Sequence, residues 1–263
     1  MKPMSDKEAY DWRVGRWSQM VGRSFVEWLG LNVGLRWLEI GCGTGALSRA
    51  ILDTGQARTL VGIDPSDEDL ALTREALGDE RAEFRQGVAE ALPFPDGSFN
   101  VTASGLVFNF LKDAPLAFRE MQRVTVPGGC IAGYVWDFGG EMQIVRRFWD
   151  ATIAVDSAAA QADQAVIFPF CKPELLRQLF LESGLQEVDV QPISVTARFP
   201  DFATYWNALM AKDWTGGRFV NSLPETARRA IRKGLYESLP LQDDGSFVLK
   251  ARAWAARGTT ADG

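Results

Sequence analysis

Residues 37–45 read Trp37-Leu38-Glu39-Ile40-Gly41-Cys42-Gly43-Thr44-Gly45, and this stretch decides the fold. The largely apolar run Leu35 to Ile40 predicts a buried parallel strand, because strands covered on both faces carry near-continuous hydrophobic sequence. Glycine at every second position from 41 to 45 lets the chain turn sharply and approach a ligand with no Cβ in the way. Residues 44–54, with Ala46, Leu47, Ala50 and Ile51 at helical spacing, predict a helix. Strand, glycine turn and helix in that order make an α/β unit that holds a nucleotide-like ligand over the helix N-terminus.

Two ligand classes use such a turn. Gly41, Gly43 and Ala46 fit the alanine form of the dinucleotide pattern G-x-G-x-x-G/A, which seats a pyrophosphate on the helix. Glu39 argues against a pyrophosphate, since a carboxylate two residues ahead of the first glycine repels phosphate and suits an ammonium or sulfonium. Glu39, Gly41, Gly43 and Gly45 together match E/D-x-G-x-G-x-G, and here the chain resembles the class I S-adenosylmethionine-dependent methyltransferases. An NAD(P)-dependent oxidoreductase, which shares the turn, stays open as the alternative.

Downstream residues fall in the order that either reading needs. Thr59 to Ile63 predicts a second strand ending in Asp64, 19 residues beyond Gly45, where a carboxylate can accept both ribose hydroxyls of an adenosine. The same carboxylate could instead cap the next helix, read at Ser66 to Leu77 after the turn at Pro65. Ala82 to Gly87 alternates as a third strand. It leads into Val88-Ala89-Glu90-Ala91-Leu92-Pro93-Phe94-Pro95-Asp96-Gly97-Ser98-Phe99-Asn100, similar to the string G-D-A-E-x-L-P-F-P-D-G-S-F-D of many small-molecule methyltransferases, those of ubiquinone and menaquinone biosynthesis among them. The resemblance implies that Gly87, Val88 and Ala89 wrap an adenine. Val88 stands where that family has aspartate, a change worth about 1 to 3 kcal/mol of affinity unless another acceptor replaces it, and Asn100 stands at another aspartate position and reads as structural.

Val101 to Gly105 predicts the fourth strand, bringing Ser104, Gly105 and Leu106 to the carboxyl edge where ligands gather in open α/β sheets. Ala114 to Val124 predicts a helix, Pro127-Gly128-Gly129 a turn and Cys130 to Trp136 a fifth strand. The run Arg119-Glu120-Met121-Gln122-Arg123-Val124-Thr125-Val126-Pro127-Gly128-Gly129 is similar to the family's E-M-x-R-V-L-K-P-G-G. Further on, Glu141 to Ala165 and Pro173 to Ser183 read as helices, the latter ending at Gly184, and Val188 to Phe199 and Ser246 to Ala255 read as strands. Residues from Gly258 on are expected to fray.

The resemblance implies a single domain over 1–263. It is a Rossmann-like, doubly wound α/β fold with a mostly parallel seven-stranded sheet, an antiparallel last strand and a helical cap or lid. The cap would be residues 1–33, the cofactor core 34–137, and the lid the excursions 138–170 and 200–240. It also implies S-adenosyl-L-methionine as cofactor, with a wall comprising Glu39, Gly41, Cys42, Gly43, Gly45, Asp64, Pro65, Ser66, Gly87, Val88, Ala89, Ser104, Gly105 and Leu106. From the cap, Tyr10, Arg16 and Trp17 would face it, Arg16 either clamping the methionine carboxylate or standing in solvent on an aromatic-rich helix.

Composition narrows the chemistry. A chain of 263 residues, 46% hydrophobic, buries a full core in one embellished domain. Lysine and arginine number 28 against 34 acidic residues, for a net charge of −6, which disfavours nucleic acid and anionic membranes as partners. No apolar run reaches about 18 residues, and the first ten lack the apolar stretch of a signal peptide. Three scattered cysteines suggest no disulfide framework and no metal cluster, so the cytoplasm is the expected compartment.

Histidine is absent, which removes serine–histidine hydrolysis and histidine–zinc chemistry. A base, if one is needed, has to come from groups such as Tyr134, Asp137 or Glu141 at the end of the fifth strand. Nine tryptophans and sixteen phenylalanines, many in the cap and lid, suit either an apolar or aromatic small substrate or a lid core. A protein that binds S-adenosylmethionine without catalysis remains a further alternative.

Overall fold

The computed structural model describes residues 4–55 and 57–262; the first three residues of the expected cap and the final glycine lie outside them. The chain forms two compact units. One comprises Met1–Trp17, Asp137–Pro169 and Ser194–Arg252, the other Ser18–Trp136, Phe170–Ile193 and Ala253–Gly263. The expected cap therefore divides at Ser18, while most of both expected lid excursions fall in the first unit.

Seven strands, β1 (Arg36–Ile40), β2 (Thr59–Asp64), β3 (Ala82–Gln86), β4 (Phe99–Gly105), β5 (Thr125–Trp136), β6 (Gln186–Phe199) and β7 (Phe247–Thr259), form one sheet of order β3-β2-β1-β4-β5-β7-β6. Neighbours from β3 to β5 are parallel and β7 is antiparallel to β5, so the mostly parallel, doubly wound α/β fold read from the sequence is what the chain adopts. The strand order reverses between β1 and β4. In open α/β sheets that reversal opens a crevice at the carboxyl ends, where ligands bind.

Helices α2 (Arg16–Leu29), α3 (Ala46–Asp53), α4 (Asp67–Leu77), α5 (Ala114–Val124) and α8 (Pro173–Glu182) accompany the strands. Leu38, Ile40, Phe108, Phe118, Met121, Ile131, Val135 and Phe180 form the main core. The first unit holds α1 (Asp6–Tyr10), a π-helical turn over Asp11–Gly15, and α6 (Gln143–Val155), α7 (Gln164–Ile167), α9 (Phe202–Leu209), α10 (Thr215–Ser222) and α11 (Glu225–Glu237). Its aromatics pack on one another, Phe199 stacking on Phe247 at 5.2 Å and Phe148 meeting Trp214 at 4.7 Å. The buried Arg13 donates to the Ala208 carbonyl and to Asp213, at 2.8 and 2.7 Å.

Four boundaries differ from the sequence reading. The helix expected over 141–165 stops at Val155, because Asp156 and Asp163 turn their carboxylates onto the Ala158 and Ala165 N–H groups and start new turns there. The excursion 200–240 is three helices. Pro127-Gly128-Gly129 lies inside β5, with Gly128 at φ +67° carrying the irregularity. The expected fraying from Gly258 does not occur, since β7 runs to Thr259 and the Thr260 hydroxyl donates to the Val126 carbonyl at 2.7 Å.

The two strings that resemble the methyltransferases turn out to grip each other. Arg123 of α5 donates to the carbonyls of Phe94 and Leu92 at 2.7 and 3.0 Å and to Asp96 at 2.9 Å. Glu120 accepts the Leu92 N–H and pairs with Arg123. The loop after β3 is thus held by side chains from the helix before β5. Replacing Arg123 with alanine strands two carbonyls and frees the loop, so Arg123→Ala should lose about 2 kcal/mol of stability in urea denaturation, with a smaller loss for Arg123→Lys.

Candidate active site

The glycine turn is built from backbone that side chains disfavour. Gly41, Gly43 and Gly45 have φ of +69°, +48° and +83°, the left-handed region that glycine enters freely. The amides of Gly41 and Cys42 both donate to the Ile63 carbonyl, at 2.8 and 3.0 Å, and the Gly45 amide closes onto the Cys42 carbonyl at 2.8 Å. A Cβ on Gly41 would meet the Val107 side chain at 2.4 Å, and one on Gly45 would meet Thr73 at 3.0 Å. At Gly43 no heavy atom lies within 4 Å of that position. The outer two glycines are therefore packed, and the middle one faces open space.

Asp64 ends β2 beside that space. One carboxylate oxygen accepts the Gly43 N–H at 2.8 Å and the other the Ser66 N–H at 2.9 Å, so the carboxylate ties the turn to the start of α4, whose N-cap is Ser66 itself. Each oxygen keeps a lone pair for a further donor. Thr73 of α4 anchors the turn from below, its hydroxyl donating to the Gly43 carbonyl at 2.6 Å.

Glu39 is placed differently from the sequence reading. It is 1% exposed, beneath the turn, and accepts a hydrogen bond from the Ser48 hydroxyl of α3. Burial pushes its carboxyl up to about 8; the Ser48 hydrogen bond opposes the shift and the charge of Asp64 adds to it. Near neutral pH the group is largely protonated, so Glu39 brings no full charge to the turn.

The rest of the expected cofactor wall separates by what each group is already doing. Leu106, just past β4, holds φ +67° with its N–H on the Tyr134 carbonyl at 2.7 Å, a strained backbone of the kind that clusters at functional sites. Gly87 donates to the Asp64 carbonyl at 3.1 Å, and Val88 beside it is 42% exposed while Ala89 joins the core. Pro65 is exposed, its carbonyl taken by Gln86. The Cys42 thiol is buried beside Leu70 and Phe84, and burial pushes it well up, so it is an inert core group. Ser104 is buried with its hydroxyl on the Ile40 carbonyl at 3.0 Å, and Gly105 beside it approaches the Tyr134 ring; Ser104 therefore joins two strands instead of lining a cavity.

Tyr10, Arg16 and Trp17 belong to the other unit. Trp17 is fully buried, its indole N–H on the Trp12 carbonyl at 3.1 Å, so it is core and not a cofactor-facing ring. Arg16 lies over the Trp12 ring at 3.4 Å and faces Asp11 at 3.9 Å, while Tyr10 is largely exposed.

The three base candidates also resolve as structure. Tyr134 is 1% exposed and packs on Phe25 at 4.9 Å. Asp137 accepts from Arg252 at 2.6 and 2.8 Å and from the Glu141 N–H at 2.8 Å. Glu141 pairs with Lys250 at 2.8 Å and Arg252 at 3.1 Å, and these cations, the Lys250 hydrogen bond foremost, hold its carboxyl below the usual range. Proximity to the end of β5 suggested bases; neighbours contributed by β7, which the sequence alone could not pair with them, make them an ion cluster. Ser48, Thr73 and Glu90 went unread. Only Glu90, which accepts the Lys112 and Asp113 N–H groups from within the family-like string, carried a signal.

Known proteins share this architecture. Residues 38–133 match the family described as a methyltransferase domain. Over those residues the chain is similar to the S-adenosylmethionine-dependent methyltransferases. A malonyl-[acyl-carrier protein] O-methyltransferase of Pectobacterium atrosepticum is 29% identical over 91% of this chain and 87% of its own length. A 2-phytyl-1,4-naphtoquinone methyltransferase of Thermosynechococcus vestitus is 36% identical over 43% of this chain and 49% of its own. The chain thus spans most of the first relative and about half of the second. The same fold is seen in a phosphoethanolamine N-methyltransferase of Haemonchus contortus in complex with S-adenosyl-L-methionine, with TM-score 0.61 and 17% identity over 98% of this chain and 58% of that one. It also occurs in a putative methyltransferase of Bacillus halodurans, with TM-score 0.57 and 14% identity over 91% and 98% of the two chains.

The open side of Gly43 and the spare lone pairs of Asp64 leave room and hydrogen-bond acceptors at the carboxyl edge, which is compatible with the cofactor of such enzymes. Gly43→Ala should fold with a loss of about 1 to 2 kcal/mol from its left-handed backbone, since a Cβ there meets no other atom, yet lower the affinity for S-adenosylhomocysteine at least tenfold by calorimetry. Gly41→Ala should instead fail to fold, because Val107 occupies the Cβ position.

Glu39 gives a pH signature. Its folded pKa lies above the ordinary carboxyl value of about 4.3, so its contribution to stability is complete below that pH and is lost as pH rises towards about 8. Over that window the native protein should lose stability relative to Glu39→Gln, in which the group no longer titrates, as read from urea midpoints at pH 5, 6.5 and 8.

Proposed function

We propose that this methyltransferase acts on a small molecule, apolar or aromatic in body, in the cytoplasm, with no nucleic acid or membrane as partner. The observation that carries the reading is the seat at the switch point, a side-chain-free bend open at Gly43 with the Asp64 carboxylate against it. The net charge of −6 weighs against polyanions. Among the described residues no helix is long and apolar enough to cross a membrane. The relatives named for malonyl-[acyl-carrier protein] and for 2-phytyl-1,4-naphtoquinone support an acceptor that carries oxygen functions, and the second supports an apolar frame.

Bound S-adenosylmethionine supplies a methyl on a cationic sulfur, and transfer leaves the neutral thioether S-adenosylhomocysteine. Asp64 would hold the ribose, and Gly87, Val88 and Leu106 the adenosine beyond it. With no histidine in the chain and Asp137 and Glu141 held by Arg252 and Lys250, the fitting acceptor is one that ionises unaided, a carboxylate or an acidic phenol. Catalysis then rests on holding the acceptor in line and excluding water.

Titration calorimetry with S-adenosylhomocysteine and with NAD tests the cofactor, and labelled-methyl uptake by panels of carboxylates, hydroxyarenes and amines tests the acceptor. Binding of S-adenosylhomocysteine weakened at least tenfold in Asp64→Ala, no heat from NAD, and methyl uptake by an oxygen acceptor are expected. Tight NAD binding would remove the assignment, and cofactor binding without methyl uptake across the panel would favour a non-catalytic binder.

A further inference from the structure

The carboxyl edge holds a buried donor that none of the described residues uses. Trp136, the last residue of β5, is 5% exposed, and its indole Nε1 has no hydrogen-bond partner among the described residues. A buried N–H without a partner is costly and rare. An indole only donates, so the group that completes it must bring a lone pair.

Register fixes where this donor stands. Glu39 pairs with Ala103 across β1 and β4, and Ala103 with Ala132 across β4 and β5. In parallel ladders residues in register share a face, and faces alternate along a strand. Trp136, four residues beyond Ala132, therefore lies on the face of Glu39, which is the face α3 covers through Ser48. Gly105, the last residue of β4, pairs with Tyr134, so Trp136 overhangs the end of β4 by two residues, about 7 Å. β5 is two strands across from β1, about 10 Å sideways from the glycine turn. The donor thus stands at the ligand-binding edge, on the face of the helix that follows the glycine turn, and displaced from the cofactor seat towards β5.

We propose that the Trp136 indole N–H is a hydrogen-bond donor to the methyl acceptor, and that it restricts the substrate to molecules presenting a carboxylate, phenolate or carbonyl oxygen there. An ammonium offers no lone pair to this donor and is rejected. Asp64 and the glycine turn recognise the cofactor, and Trp136 recognises the acceptor. The inference rests on the methyltransferase reading and deepens it by naming the group that reads the acceptor.

Trp37 provides the control. It too is buried with an unpartnered Nε1, but it lies near the amino end of β1, away from the edge. Trp136→Phe and Trp37→Phe make the same change of ring. The probes are 1,4-dihydroxynaphthalene, the malonyl thioester of N-acetylcysteamine and, as an ammonium without oxygen that should leave the indole unmoved, phenethylamine, added to the full chain saturated with S-adenosylhomocysteine.

In 15N-labelled protein the indole resonance missing from Trp136→Phe should move downfield with the oxygen probes, while the Trp37 indole stays still. Trp136→Phe should raise the KM of whichever oxygen probe is methylated about tenfold and leave S-adenosylhomocysteine affinity within twofold; Trp37→Phe should leave both unchanged. An indole resonance unmoved by both oxygen probes, or a KM unchanged in Trp136→Phe, overturns the proposal while leaving the methyltransferase reading intact. If S-adenosylhomocysteine itself fails to bind the native chain, the earlier reading falls first.

Discussion

The carboxylate of Asp64 joins two backbone segments that would otherwise repel ordering. Its oxygens take the amides of Gly43 and Ser66, pinning a bend of three left-handed glycines to the start of the next helix. A bend of that kind costs backbone entropy and survives because the amides of Gly41, Cys42, Gly43 and Gly45 have receivers: Ile63 for the first two, Asp64 for the third and Cys42 for the last. Everything at the carboxyl edge is measured from this knot. Thr73 against Gly45 and the Val107 side chain against Gly41 leave Gly43 as the open glycine of the three.

Charge at the knot is separated by depth. Two acids lie within one turn of each other, and burial neutralises the deeper while the shallower keeps its amide partners. Neutralising Glu39 removes the repulsion that a second buried carboxylate beside Asp64 would bring, which eases folding.

Legibility in the sequence followed the locality of the interaction. β1, the glycine turn, β2, β3 and α5 could be read within a residue or two, because strand hydrophobicity, the glycines and the capping residues act over a few neighbours. Asp64 could be placed for the same reason. Glu39 was located correctly and its state was not, since its burial depends on α3 closing over it. Ser104, Trp17, Asp137 and Glu141 misled for a shared cause. A hydroxyl, a ring or a carboxylate reads as available until the strand or helix that occupies it is known, and those partners, Ile40, Trp12, Arg252 and Lys250, are set by tertiary pairing. The Arg123 and Glu120 grip on the loop after β3 shows the reverse case, two strings that were legible separately and whose joint purpose appears only when α5 meets the loop.

The bonds of Thr260 to Val126 and of its amide to Gly129 moor the end of β7 at the amino end of the β5 ladder, whereas Trp136 closes the carboxyl end seven residues further along. That run spans about 23 Å of extended chain. A tether or affinity handle joined after Asp262 would leave from the side of the sheet away from the ligand edge, so the molecule can be fixed to a surface there with its reactive side turned outward.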